Sequence, residues 1–281
     1  MRFQYNPVGK RPVRKWKYRL RAGLKKCMIN KIVINSLRVF SDSRCKIQKT
    51  EEGEWEMELN YRHEWKHEIN YADLLCIRQR LRAVARPDSH TVGGKYLIRS
   101  LYFDNANDKA LREKIDGVNM REKFRIRYYN GDTSFIRLEK KSRRNGLGTK
   151  VDAALSAEEA QKIVDGELDW MMDSGRPLLQ ELYCKMKTQG LRPKTIVDYI
   201  REPYIYGPGN VRVTFDYNIR TGLSSTDFLN PACITVPAGD APIILEVKWD
   251  AYLPEIIQDA VSVPNRRAGA FSKYAQCRIY G

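Results

Sequence analysis

Five strand-length stretches of this chain alternate, with charged or polar residues at every second position and apolar residues between. They are Phe124-Arg125-Ile126-Arg127-Tyr128, Phe135-Ile136-Arg137-Leu138-Glu139-Lys140-Lys141, Val197-Asp198-Tyr199-Ile200-Arg201, Val211-Arg212-Val213-Thr214-Phe215-Asp216 and Ile243-Ile244-Leu245-Glu246-Val247-Lys248. Successive side chains of a strand point to opposite faces. Arg125 and Arg127 therefore share a face. So do Arg137, Glu139 and Lys141, then Arg212, Thr214 and Asp216, and then Glu246 and Lys248. One such strand is an ordinary surface strand. Five of them, each mixing cations with carboxylates on one face, predict a sheet closed on itself around a charged interior. An interior rich in Arg and Lys, with a few Glu, suits a polyanion and its metal ion.

The formal charge of +16 over 281 residues points to an anionic partner. The excess is uneven: residues 1–56 carry 15 Lys and Arg against five Asp and Glu. That segment lacks clear periodicity and reads as a basic extension, either disordered or upstream sequence ahead of a true start at Met57. The body is then 57–281. The six cysteines (Cys27, Cys45, Cys76, Cys184, Cys233, Cys277) include no CxxC pair and build no zinc spacing with His63, His67 and His90, which predicts reduced thiols and a cytoplasmic setting. No apolar run approaches the ~20 residues of a membrane span, and no secretory leader is expected.

Along the body, the pattern predicts a strand at 59–69 and a helix capped by Asn70 with Asp73 three residues on. A strand at 96–104 and a short helix at 107–115 follow. A hairpin of 121–129 with 134–141 turns at Asn130-Gly131. The Asn145-Gly146-Leu147-Gly148 run reads as a flexible loop leading to Lys150. Ser156 with Glu159 opens a second capped helix, and 177–189 a third. Strands return at 194–201, 210–220 and 242–249, and short helices are expected at 254–261 and 271–278. The fold class is α+β, a closed antiparallel eight-stranded β-barrel with flanking helices.

Two constellations carry chemistry. Arg125 and Arg127, about 6.6–6.8 Å apart by strand rise, can grip neighbouring phosphates; the alternative is a solvated strand face. Across the hairpin stand Arg137, Glu139 and Lys141, so without an anion like charges would crowd one face. Glu246 beside Lys248 either forms an ion pair or holds a divalent metal. Oxygen ligands together with phosphate favour Mg²⁺ or Mn²⁺. Lys273, on a short helix, could cap one mouth. A Walker A loop and the GxSxG, HExxH and kinase motifs are absent from the sequence.

Six ordered motifs resemble a VTC domain, the polyphosphate polymerase domain within the triphosphate tunnel metalloenzymes of the CYTH-like superfamily. They are Glu64-Trp65-Lys66-His67, Ser100-Leu101-Tyr102-Phe103-Asp104, Lys123-Phe124-Arg125-Ile126-Arg127-Tyr128, Leu138-Glu139-Lys140-Lys141, Leu245-Glu246-Val247-Lys248-Trp249 and Phe271-Ser272-Lys273-Tyr274. The resemblance spans about 58–280. It implies an eight-stranded antiparallel tunnel in which Arg125, Arg127, Lys66 and Lys141 act on the transferred phosphate. Arg201, Arg212, Arg220 and Lys273 would grip other phosphates, with Lys248 beside them and Lys150 a looser match. Glu246 would hold the metal, with Glu139 and Glu64 as helpers. The sequence departs from the family at His67, where an aromatic residue is usual, and the superfamily's opening ExExK is reduced to His63-Glu64-Trp65-Lys66.

What the resemblance implies is a stand-alone, bacterial polymerase. It would pass the γ-phosphate of ATP onto a growing inorganic polyphosphate chain, without a specific nucleic-acid partner or a membrane span. Two rivals remain. One is hydrolysis of tripolyphosphate or a nucleoside triphosphate in the same tunnel. The other is a non-catalytic module binding polyphosphate or nucleic acid, which the basic 1–56 segment would serve.

Overall fold

The computed structural model describes residues 62–144, 147–240 and 242–279, together with strands at 45–49 and 55–59. The chain divides into two units, residues 1–60 and 61–281. In the first, β1 (Cys45–Lys49) and β2 (Trp55–Leu59) form an antiparallel pair in which Ile47 faces Met57. The expectation of a disordered or extraneous 1–56 otherwise lies outside the described residues.

The second unit is built on eight long strands. In chain order they begin with β3 (His63–Ile69), after which come the two-residue β4 (Arg86–Pro87) and then β5 (Tyr96–Asp104). β6 (Met120–Tyr129), β7 (Asp132–Arg144), β8 (Leu147–Leu155) and β9 (Arg192–Tyr206) follow. β10 (Val211–Thr221), the short β11 (Val236–Pro237) and β12 (Ile243–Trp249) complete the set. The sheet order is β3-β12-β10-β9-β5-β6-β7-β8, antiparallel at every step, with β4 on β9 and β11 on β10. The β6–β7 turn is Asn130-Gly131, both at positive φ (52° and 74°), the mirror-image turn that this dipeptide favours. β8 occupies the stretch that the two glycines make look like a loop.

The sheet is strongly curled. Lys141 on β7 feels the charges of Lys248 and Glu246 on β12, although β7 and β12 lie five places apart in the sheet. A flat sheet would hold those strands about 24 Å apart. The expected closure is not made: among the described residues no ladder joins β3 to β8. The free edge of β3 is met instead by the 268–269 segment, through a His67–Ala268 bridge and the Gly269 amide donating to the Lys66 carbonyl at 2.8 Å. The sheet is a half-barrel open along that seam.

Helices cover the convex face. α1 (Tyr71–Val84) starts at a capping box in which Asn70 and Asp73 exchange side-chain-to-backbone bonds. It stops where Pro87 forces the preceding residue to an extended conformation. Its Leu74, Ile77 and Leu81 pack on Val213, Phe215, Leu245 and Val247. After α2 (Lys109–Ile115) come α3 (Ala157–Asp165), α4 (Trp170–Asp173) and α5 (Pro177–Thr188). α3 is capped by Ser156 and ended by Gly166 at φ 84°. This group buries Ile163, Met171, Leu179 and Leu182 against Leu101, Phe124, Ile126 and Leu138. Each such side chain contributes about 1.5–3 kcal/mol. α6 (Glu255–Ala260) joins α1 through Ile257. α7 (Lys273–Cys277) enters the concave side, where Tyr274 stacks on Tyr102 at 5.0 Å and its hydroxyl donates to Asp104 at 2.7 Å. With apolar residues committed to the convex face, strand alternation sends the charged residues to the concave one.

Candidate functional site

The concave face holds three buried carboxylates, each clasped by cations. Glu139 on β7 accepts from Arg125 Nε at 2.6 Å and lies 2.8 Å from Lys150 Nζ, with Arg127 at 3.9 Å. Burial opposes its charge, but Arg125, Arg127, Lys150 and Lys141 hold it well below the usual carboxylate range. Asp216 on β10 is fully buried and takes a two-pronged bond from Arg201 (2.6 and 2.7 Å) and a third from Lys273 at 2.5 Å. The Lys273 ammonium also lies 4.6 Å from the centre of the Tyr199 ring. Glu246 on β12 contacts Lys248 and Lys66, the latter at 3.4 Å. Its burial is likewise overcome by Lys248, Lys66, Arg201 and Lys273, which keep it ionised.

The arginines are held rigidly. Arg125 donates to the Tyr102 hydroxyl at 2.8 Å, and Arg127 to Ser100 Oγ at 3.0 Å and the Tyr199 hydroxyl at 2.8 Å. Two lysines have no such support. Lys123 and Lys141 face each other across the β6–β7 ladder. Burial, then the neighbouring Arg125 and Lys248, push the Lys141 ammonium well below its ordinary range. Burial, with Arg125, Lys66 and Lys273 outweighing the attraction of Tyr102, brings Lys123 down to about 8. Cations outnumber carboxylates on this face, and the surplus is concentrated at Lys123 and Lys141. An anion bound there would allow both to be charged.

Glu64 and Glu246 share Lys66 and Lys248. Glu64 lies 2.5 Å from Lys66 and 3.9 Å from Lys248. Thr214, opposite Glu246 on the ladder, has a buried hydroxyl with no hydrogen-bond partner. Two neighbouring carboxylates and an unpartnered hydroxyl fit a hard divalent cation whose remaining ligands come from phosphate oxygens. Glu139, saturated by Arg125 and Lys150, does not fit that role. Among the described residues no group of three or more His, Cys, Asp or Glu side chains forms a cage by itself.

The structure thus gathers Lys66, Arg125, Arg127, Lys141, Lys150, Arg201, Lys248, Lys273, Glu64, Glu139 and Glu246 on one face. Arg212 lies at its rim, 3.1 Å from Asp88. Arg220 is elsewhere. The β10–β9 register slips between Tyr217 and Arg220, with Asn218 at φ 51°. The extra residue puts Ile219 on the concave side and turns Arg220 outward onto Thr235. Asp216 and Lys123 escape a reading of the sequence for site residues. Asp216 looks like one more alternating polar residue, and its Arg201 partner is set only by the β9–β10 pairing.

A family model described as VTC domain matches residues 61–279. The chain belongs to the VTC domain family. No curated protein matches it. Among solved structures, this VTC domain is similar to the PH1012 protein of Pyrococcus horikoshii: 15% identity, 77% of this chain and 99% of that one covered, TM-score 0.41. A candidate adenylate cyclase from Bacillus halodurans is also similar, at 15% identity, 67% and 80% coverage and TM-score 0.40. Likenesses this distant say nothing of activity. No helix among the described residues of the VTC domain is long and apolar enough to cross a membrane.

Proposed function

We propose that this VTC domain is a metal-dependent phosphotransferase that moves the γ-phosphate of ATP onto a growing inorganic polyphosphate chain along the concave face. The observation that carries the reading is the pairing of surplus cations at Lys123 and Lys141 with an adjacent carboxylate pair, Glu64 and Glu246. Phosphoryl transfer asks mainly for positioning and for neutralisation of charge on the phosphate oxygens. Arg125 and Arg127, fixed by Tyr102, Ser100 and Tyr199, supply directed donors. Lys141 and Lys123 supply charge that is strongest when the anion is present. Glu246, Glu64 and Thr214 would hold Mg²⁺ or Mn²⁺, which neutralises phosphate oxygens when bound.

In the reaction an acceptor phosphate oxygen forms a bond to the γ-phosphorus. The bond to the bridging oxygen breaks, and ADP leaves with the electron pair. The acceptor is already anionic and needs no general base. That favours transfer over hydrolysis, because Glu64, the candidate base on the first strand, is a weak base. Burial and Glu246 would raise its pKa, but Lys66 and Lys248 win and lower it. The test is to incubate the full chain with ATP and Mn²⁺ and separate the products on a gel stained for polyphosphate. A ladder of long chains with ADP is expected. Free phosphate without chains would replace transfer by hydrolysis, and no turnover would leave only binding.

A further inference from the structure

The inner rows of β6 and β7 continue past the charge-paired centre. On β6 they run Arg127, Arg125, Lys123, Arg121, and on β7 Glu139, Lys141, Arg143. At their outer end Arg121 and Arg143 meet Lys114 of α2 around a cavity of about 430 Å³, which Asn119 and Ser272 also line. The centre has a carboxylate for most of its cations, but this mouth has none in contact. Lys114 donates to the Ala270 carbonyl at 3.2 Å and Arg121 to the Val118 carbonyl at 2.6 Å. Among the described residues, Lys114, Arg121 and Arg143 form no ion pair. Burial, then Arg121, Lys66 and Arg143, depress Lys114; burial and Arg143 depress Arg121, outweighing the attraction of Glu113, which makes no ion pair with it. Three unneutralised cations on three different elements, converging on one cavity, form a site for a tetrahedral oxyanion.

We propose that this cavity is a second phosphate site that receives the acceptor, as orthophosphate or as the end of a phosphate chain, next to the concave face that holds the donor. The assignment of donor and acceptor rests on the transferase reading above; the binding of phosphate does not. The cavity is larger than one phosphate needs, which leaves room for the next group of a chain. Its continuity with Lys141 and Lys123 along the same strand faces gives that chain a cationic path inward.

The experiment is calorimetric titration of the full chain with inorganic phosphate and, separately, with tripolyphosphate and ATP. Three proteins are compared: wild type, Arg121→Gln/Arg143→Gln, and Lys141→Gln as the concave-face control. A Lys114→Gln variant repeats the cavity test from a different element. The cavity variants should weaken inorganic phosphate or tripolyphosphate binding by about tenfold or more, as expected for loss of charge-assisted contacts, and leave ATP affinity within about twofold. Lys141→Gln should weaken ATP binding, and tripolyphosphate binding at the concave face, by about tenfold or more and leave inorganic phosphate within about twofold. Weakening of orthophosphate marks a single-phosphate acceptor; weakening of tripolyphosphate alone marks a chain end. If phosphate and tripolyphosphate bind the cavity variants as tightly as wild type, the proposal is wrong, whatever Lys141→Gln does. If only Lys141→Gln is silent, the concave-face reading fails and the cavity site stands.

Discussion

Replacing Lys123 with methionine should make the protein more stable at pH 7, and the gain should disappear in alkali. Lys123 is half-buried, opposite Lys141 on the β6–β7 ladder, and its ammonium falls from 10.5 to about 8. At about 1.4 kcal/mol per pH unit, holding it charged at neutral pH costs about 3 kcal/mol. The folded value lies below the unfolded one, so folding sheds a proton between them. The penalty is therefore complete below pH 8, shrinks as pH rises from 8 to 10.5, and is absent above. Methionine keeps most of the length of the apolar stem and forfeits only the contact of the ammonium with the Tyr102 ring, 5.7 Å away. At roughly 2–4 °C per kcal/mol for a domain of this size, Tm should rise by about 6–12 °C at most. The assay is urea unfolding of wild type and Lys123→Met at pH 7 and pH 10.5, with and without tripolyphosphate. The ligand should stabilise wild type more than the variant, because it neutralises a charge that the variant lacks. A variant no more stable than wild type at pH 7, or a gain that persists at pH 10.5, would refute the reasoning. The same reasoning makes Lys123 a residue kept for ligand binding at the expense of stability.

Asp216→Asn should destabilise the fold by about 3–5 kcal/mol in chemical denaturation, because Arg201 and Lys273 lose the charge they share in a buried site. Glu246→Gln should raise the Mn²⁺ concentration needed for tripolyphosphate binding by about tenfold or more in a metal titration, with Glu64 left as the single carboxylate between Lys66 and Lys248. Arg220→Gln should leave turnover of ATP within about twofold of wild type, since its guanidinium is bonded to Thr235 outside the site; a tenfold loss would return it to the phosphate path.

Strand alternation alone exposed the charged face, because a period of two separates a helix-covered side from an open one wherever the strands are regular. That placed Arg125, Arg127, Glu139, Lys141, Glu246 and Lys248 correctly. Arg220, which the family resemblance put on the phosphate path, leaves that face because a one-residue bulge reverses parity without a proline or glycine to announce it. Alternation missed β8, whose glycines and polar residues look like a loop until β7 supplies the partner edge. Closure of the barrel was not decidable from pattern, since whether β3 pairs with β8 or with the 268–269 segment is a matter of long-range contacts. The clasp on Asp216 depends on side chains brought together from β9, β10 and α7, and spacing along the chain says nothing of it.

The most direct test of the central claim is a crystal structure of the full chain with tripolyphosphate and Mn²⁺. Phosphate density should lie on the concave face within hydrogen-bond reach of Arg125, Arg127 and Lys141, with an anomalous manganese peak beside Glu246. Well-ordered protein with phosphate or manganese bound only away from that face would contradict it.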